Sequence, residues 1–157
     1  MAITGAMVAA DAVPFNNADI LIDQTPSSSS FLAVESWATS ISVSGGDTPV
    51  SNFNTFTVPL VFIGNINPFT VTLEMAYTEA AVTNPFKEIY DDYISSPGLL
   101  QDLKWHPEGA AIGNYIFTTS GGRLISCSLP QGSSTGTSPS LFTITIQCSS
   151  IAVTVGV

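Results

Sequence analysis

Charged residues are scarce in this 157-residue chain, and basic residues are nearly absent. Charged residues make up 10% of the sequence, against about 25% in typical soluble domains. Three Lys and Arg residues stand against 12 Asp and Glu residues, which gives a net charge of −9. Because basic side chains that contact phosphates drive nucleic-acid binding, this composition excludes a protein that holds nucleic acid tightly.

The low content of charged residues also indicates that part of the surface is not exposed to water. Mean hydropathy is +0.36, and a monomer needs a charged surface to stay dispersed. We therefore expect part of the surface to be covered, most simply by further copies of the same chain. The alternative is a hydrophobic β-sandwich that stays monomeric.

Histidine is limited to His106, so imidazole-based catalysis and metal binding have little support. His106 and Glu108 flank a proline, and this spacing favours a structural turn over a metal site. Glu88, Asp91 and Asp92 favour the solvated face of a helix over a divalent-ion site. The sequence thus predicts no catalytic, metal or cofactor site, and no enzyme.

Cysteine and long apolar runs are scarce as well. Cys127 and Cys148 lie in strand-like patterns, which favours buried free thiols; a disulfide is the alternative if their strands are neighbours. The longest apolar run, residues 58–63, contains Pro59 and is far shorter than the roughly 20 residues that span a bilayer. The N-terminus has no basic segment, so we expect neither membrane contact nor a secretory signal.

Alternation of apolar and polar residues, typical of half-buried strands, recurs along most of the chain. Gly45 with Gly46, and Gly121 with Gly122, each predict a hairpin turn between the strands on either side. Residues 1–30 are weakly patterned and predict an arm that orders against a neighbour, and residues 150–157 predict a tail. We expect strands at 19–23, 31–44, 52–63, 69–78, 99–105, 115–119, 123–129, 141–148 and 151–157.

One helix is predicted, at residues 84–94. Asn84 is a favourable N-cap, and Pro85 is a favourable first helical residue. Short strands with one helix predict a mainly β fold in one domain, a small antiparallel β-sandwich or open barrel with the helix packed on it. The helix has one apolar stripe, formed by Phe86, Ile89, Tyr90, Tyr93 and Ile94.

Three sequence patterns occur in the order and spacing of one protein family. They are Val-Glu-Ser-Trp-Ala-Thr-Ser-Ile-Ser-Val-Ser-Gly-Gly-Asp at 34–47, Tyr-Thr-Glu with Asn-Pro-Phe at 77–86, and Trp-His-Pro-Glu-Gly with Gly-Asn-Tyr-Ile-Phe-Thr-Thr at 105–119. With these patterns, residues 31–146 resemble the major tail tube proteins of long-tailed, siphovirus-like bacteriophages.

The resemblance implies a structural subunit of the virion tail, made in the host cytoplasm. Six copies would form a ring with a continuous β-barrel as its inner wall, and rings would stack into a tube that conducts DNA without binding it specifically. Tape measure, tail tip and tail terminator proteins would be further partners. The 45–52 loop is shorter than the stacking loop of some members, so the N-terminal arm, the 131–140 loop and the C-terminal tail are candidates for joining rings.

A DNA conduit needs a wall that repels DNA weakly and does not bind it. Polar faces of the predicted strands suit such a wall, and Glu74 is the preferred lumen carboxylate. The sequence leaves open which face lines the lumen: Ser40 and Ser42; Thr70, Thr72 and Glu74; or Thr143, Thr145 and Gln147.

The alternative function is a monomeric or dimeric β-sandwich that binds a ligand, such as a virion adhesin or a carbohydrate-binding module. Such sites usually display clustered exposed aromatic side chains with polar partners. Most aromatic residues of this chain fall instead on predicted inward faces, which disfavours the alternative.

Overall fold

The computed structural model describes residues 17–23, 30–54, 59–78, 85–132 and 136–157, and all structural statements below refer to these residues. They form eleven strands and one helix. The elements are β1 (Asp19–Asp23), β2 (Phe31–Ala33), β3 (Ala38–Gly45), β4 (Val50–Asn54), β5 (Pro59–Ile63), β6 (Phe69–Ala76), α1 (Phe86–Ser95), β7 (Leu103–His106), β8 (Tyr115–Ser120), β9 (Arg123–Cys127), β10 (Leu141–Cys148) and β11 (Ser150–Val155).

Nine of the strands form two antiparallel sheets that enclose one core. One sheet has five strands in the order β11-β8-β7-β1-β2, and the other has four in the order β3-β6-β10-β9. Every second side chain of each sheet points inward, since side chains alternate along a strand. The prediction of a mainly β antiparallel sandwich with one helix is confirmed. The core includes Ile20, Ile22, Leu103 and Trp105 from the first sheet and Val71, Leu73, Met75, Phe142, Ile144 and Ile146 from the second.

Helix α1 packs against this core through the predicted stripe, except at its last turn. Ile89 is buried, and Phe86, Tyr90 and Tyr93 are half-buried against the core. Ile94 is 58% exposed, because 100° of rotation per residue places it about 140° around the helix from Ile89.

The start of the helix differs by one residue from the prediction. Pro85 is the N-cap and not the first helical residue, and no side chain caps the helix there. Asn84, the predicted N-cap, lies outside the described residues.

The prediction of one strand over residues 31–44 is wrong. The segment forms β2 and β3, which belong to different sheets. A turn at residues 35–37 separates them, and the fully buried Val34 donates its N–H to the Ile20 carbonyl at 2.7 Å. The chain therefore crosses over the core here, and neither Gly nor Pro marks the crossing in the sequence.

The prediction of one strand over 52–63 is also wrong, because β4 and β5 pair with each other. Gly45 and Gly46 do not close a hairpin; they lie within one long hairpin whose arms run from β3 into β4 and from β5 into β6. Gly45 has φ 85° and lies against the Pro68 carbonyl, so only glycine fits. Between the β3–β6 pairing and the β4–β5 pairing, three backbone hydrogen bonds keep the two arms of the hairpin together. They run from Gly46 N to Asn67 O (3.2 Å), from Asn67 N to Asp47 O (2.9 Å) and from Gly64 N to Pro49 O (2.8 Å).

Gly121 and Gly122 do not close a hairpin either. β8 pairs with β7 and β11, whereas β9 pairs with β10 in the other sheet. The two glycines therefore carry the chain from one sheet to the other. The predicted strand at 99–105 begins later, at Leu103, because Leu100 forms only an isolated bridge to Arg123.

Parts of the predicted arm and tail are strands of the sandwich. β1 lies between β7 and β2 with Ile20 and Ile22 buried, and β11 pairs with β8 along all six of its residues. Residues 1–16 and 24–29 lie outside the described residues. β1 and β11 are ordered within the subunit because strands of the same chain supply their hydrogen-bond partners.

Candidate functional site

The eight residues predicted as possible lumen residues lie together on one face of the four-stranded sheet. The antiparallel register aligns them across β3, β6 and β10, and directly paired residues point to the same side of a sheet. The three alternatives of the sequence analysis are thus one surface, here called the hydroxyl face. Its rows are Ser40–Glu74–Thr143, Ser42–Thr72–Thr145 and Thr70–Gln147.

The hydroxyl face is polar because the other face of the same sheet is the core. Leu73 and Ile144 are paired and at most 1% exposed, whereas their neighbours Thr72 and Thr145 are half-buried on the opposite side. One residue of slip in the register would exchange the two faces, so the core fixes which side is wet.

Sequence reasoning missed part of this face. Ser44 pairs with Thr70, and on the far side Ser126 and Arg123 of β9 pair with Thr145 and Gln147. Period-two alternation places Ser44 on the same face of its strand as Ser40 and Ser42, and it places Ser126 opposite the inward Cys127, although neither was predicted as a lumen residue. For Arg123 alternation gives the wrong side, because a bulge shifts the β9 register.

Glu74 and Arg123 are the two charged side chains that the described residues place on this face. Thr39 lies in a bulge of β3 and donates a hydrogen bond to Glu74 Oε1 at 3.0 Å. The Arg123 guanidinium donates to the Gly98 carbonyl at 2.9 Å, at the edge of the sheet. The two charges stand in different rows, two strands apart, so they do not form an acid–base pair with each other.

The four-stranded sheet has one fully open edge. β3 is an edge strand of eight residues, and its outer side pairs with no strand of the described chain. β9, at the other edge, is partly covered, because Leu124 exchanges backbone hydrogen bonds with Leu99 and Gly98. An open edge of this length is a template for another strand.

The β4–β5 hairpin protrudes from this sheet as an apolar ribbon. Its six large apolar side chains are 42–73% exposed, and residues 48–73 contain no charged residue. Both faces of the ribbon are apolar, and a lone two-stranded hairpin is marginally stable in water. The first face carries Phe53, Leu60 and Phe62, and the second carries Val50, Val61 and Ile63.

Two pairs of titratable groups lie close together in the described part of the chain. His106 is buried with its Nδ1 3.5 Å from Asp19 Oδ2. Asp91 pairs with Lys87 along the helix. Within the described ranges, no group of three or more His, Cys, Asp or Glu side chains could hold a metal ion. No helix in the same ranges has the length and apolarity needed to cross a membrane.

Both cysteines are free and buried, as predicted; that the thiols are reduced in solution stays a prediction. β9 and β10 are neighbours, but Cys127 pairs with Ile144, four residues from Cys148. That offset is about 13 Å along the strand, too long for a disulfide. Burial raises the pKa of the Cys127 thiol to about 11, and it also raises the pKa of Cys148.

Chains of contractile injection systems, of an anti-feeding prophage and of a gene transfer agent share this fold in solved structures. A chain of the PVC sheath–tube complex, from an extracellular contractile injection system in the extended state, has a TM-score of 0.62 at 13% identity, covering 96% of this chain and 99% of that one. A chain of the anti-feeding prophage cap, a tube terminating cap, has a TM-score of 0.62 at 14% identity, covering 99% and 100%.

A chain of the native gene transfer agent virion has a TM-score of 0.60 at 8% identity, covering 91% of this chain and 99% of that one. At such identities the similarity establishes the fold. No protein-family model matches the chain, and no curated protein matches its sequence.

Proposed function

We propose that this protein is a structural subunit of a tail tube, in a phage or a related particle. The hydroxyl face carries the proposal: all four strands contribute polar side chains to one face of the sheet, while the opposite face is core. The fold supports it, since the similar chains come from a sheath–tube complex, a tube terminating cap and a gene transfer agent virion.

In this proposal six subunits form a ring and the open β3 edge pairs with the neighbouring subunit. Pairing satisfies the edge backbone and removes an aggregation hazard. The hydroxyl faces then line the lumen. In each subunit the described part of this wall carries one carboxylate, Glu74, and one cation, Arg123, whose guanidinium donates to the Gly98 carbonyl at the sheet edge. Hydroxyl groups make up most of the remaining polar surface, so the wall offers DNA phosphates few cations and DNA slides through without specific binding.

Rings stack into the tube of the virion tail. Tape measure, tail tip and tail terminator proteins are the further partners of this tube. The sequence resemblance favours a siphovirus-like tail, whereas the similar structures include contractile injection systems. The proposal therefore covers the tube subunit of either tail type, and the siphovirus-like assignment stays a prediction.

The test is the assembly state of the purified protein. Negative-stain microscopy of concentrated protein should show hollow tubes of uniform diameter with six-fold end views, and sedimentation should show polymer in equilibrium with subunit. A stable monomer or dimer at every concentration, with no tubes, would contradict the proposal and favour the ligand-binding sandwich.

A further inference from the structure

The five-stranded sheet extends beyond the four-stranded sheet that covers it. Trp105 of the core pairs with Phe117, and Phe117 pairs with Val153, so all three share the inward face. Exposure rises outward along β8, from 2% at Thr119 through the half-buried Phe117 to 62% at Tyr115. The inward face therefore ends in an uncovered apolar surface, here called the overhang and defined by Tyr115, Phe117, Val153 and Val155.

The overhang contains a pocket of the size of an aromatic ring. Pro107, Glu108, Tyr115 and Phe117 line a pocket of about 240 Å³. Phe117 lines this pocket with a ring that is held in place by stacking on Trp105. The two ring centroids are 5.4 Å apart, with an 11° angle between the ring planes. An apolar cavity of about 150 Å³ is enough to bind benzene, so this pocket has room for one phenylalanine ring.

We propose that the apolar ribbon of one copy docks on the overhang of a second copy, with Phe53 and Phe62 as its anchors. The inference rests on the proposed tube and identifies the surfaces that join its subunits. Both surfaces are exposed in the same subunit, so the ribbon does not cover its own overhang. Large apolar side chains exposed in this way mark interaction sites.

The distribution of charged residues favours a second copy of this chain as the partner that binds the overhang. The chain carries −9, so two copies repel wherever their charged surfaces approach. Residues 48–73 and 124–157 contain no Asp, Glu, Lys or Arg. The ribbon lies in the first range and the β11 part of the overhang in the second, so these surfaces can meet without that repulsion.

The contact can repeat from copy to copy, because it joins two different surfaces. Ribbon and overhang are different surfaces, so each copy can give its ribbon to one neighbour and receive another. Such a heterologous contact closes into a ring or continues as a filament, whereas a reciprocal exchange of ribbons about a two-fold axis stops at a dimer. The ring or filament is the form that matches the proposed tube, and sedimentation distinguishes it from the dimer.

Charged substitutions test each surface separately. Phe62→Asp and Val153→Asp should each raise the critical concentration for polymerisation about tenfold or more, because losing a buried anchor weakens binding by such factors. Ile94→Asp is the matched control, since Ile94 on the helix is 58% exposed, as is Phe62. The control should polymerise like the original protein, and below the critical concentration all three variants should keep the melting temperature of the original unassembled subunit.

A crosslinking experiment identifies the partner surface directly. A Phe62→Cys chain is mixed with a Val153→Cys chain of different tag size and treated with a short thiol crosslinker, while Cys127 and Cys148 stay buried. The expected product is a mixed-size dimer, and an Ile94→Cys chain should give none with the Val153→Cys chain.

The outcomes separate the two proposals. Normal polymers from Phe62→Asp, or polymers without the Phe62–Val153 crosslink, would overturn the docking and leave the tube standing. The crosslink without hollow tubes would keep the docking and overturn the tube. Neither crosslink nor polymer would overturn both.

Discussion

The Thr119 hydroxyl donates a hydrogen bond to the Asp102 carboxylate at 2.8 Å and accepts one from the Leu103 N–H at 2.8 Å. The same Asp102 oxygen accepts the Gly122 N–H at 2.8 Å. These bonds join the start of β7, the end of β8 and the crossing between the two sheets. One buried threonine therefore holds the corner where the chain leaves the five-stranded sheet.

Thr119→Val should destabilise this corner by about 1–3 kcal/mol, because the buried Leu103 N–H loses its acceptor and Asp102 loses a donor. The free energy of unfolding, measured by urea denaturation of unassembled subunits, checks this. Thr119→Ser keeps the hydroxyl and loses one methyl group, so its cost should stay below about 1 kcal/mol. Equal losses in the two variants would show that packing, and not hydrogen bonding, matters here.

The Gly122 crossing also shows why strand pairing was harder to predict than strands. A Gly-Gly pair between two alternating segments is typical of a hairpin. Here Gly122 is required for another reason: a side chain would collide with the Gln101 carbonyl. That contact comes from the packing of segments 21 residues apart, and local turn chemistry does not reveal it.

The same limit applies to the hydroxyl face. Period-two alternation was enough to assign Thr72 and Thr145 to polar strand faces, because alternation is a local property. That the two residues are direct partners follows from the register of β6 and β10, whose residues are about 70 positions apart. The members of the site could thus be predicted, but their union into one surface could not.

Phe86→Ala should cost the subunit about 3 kcal/mol, the lower end of the usual range for Phe, since the ring is half-buried. Its ring contacts Tyr77, Tyr90 and Phe142, with centroids 5.4, 5.4 and 4.9 Å away. Thermal and urea unfolding measure the loss. Ile94→Ala, on the exposed side of the same helix, should change stability by no more than about 0.5 kcal/mol. Similar losses would mean that the helix does not pack through the predicted stripe.

The Cys127 thiol should make stability fall at alkaline pH. Its folded pKa is about 11, above the ordinary value of 9.0. Below pH 9 both folded and unfolded chains keep the proton, so the contribution is fully present. Between pH 9 and 11 the unfolded chain releases the proton and the folded chain does not, so the free energy of unfolding decreases.

The measurement is urea unfolding from pH 8 to 11 for the original protein and for Cys127→Ala. The variant lacks this thiol, so its stability should decrease less over the range; identical slopes would contradict the prediction. Thiol reagents at pH 8 should also modify the folded protein far more slowly than the unfolded chain, since the thiolate is the reactive form.

In the proposed tube, Glu74→Lys should turn a lumen wall that does not bind DNA into one that retains it. In a six-subunit ring the substitution places six lysines around the lumen, and cations that contact phosphates bind DNA by releasing counterions. Assembled Glu74→Lys tubes, incubated with short duplexes at low salt, should therefore protect DNA from nuclease. Protection should disappear as salt is raised, because counterion release weakens with ionic strength.

Two control variants isolate the position and the charge. Glu88→Lys makes the same charge change on an exposed residue of α1 that is not part of the hydroxyl face, so it adds no lysine to the proposed lumen wall. Glu74→Gln removes the charge but keeps an oxygen that accepts the Thr39 hydrogen bond, so it separates electrostatics from the local contact. If Glu74→Lys tubes form normally and protect no more DNA than the Glu88→Lys tubes, the hydroxyl face does not line the lumen.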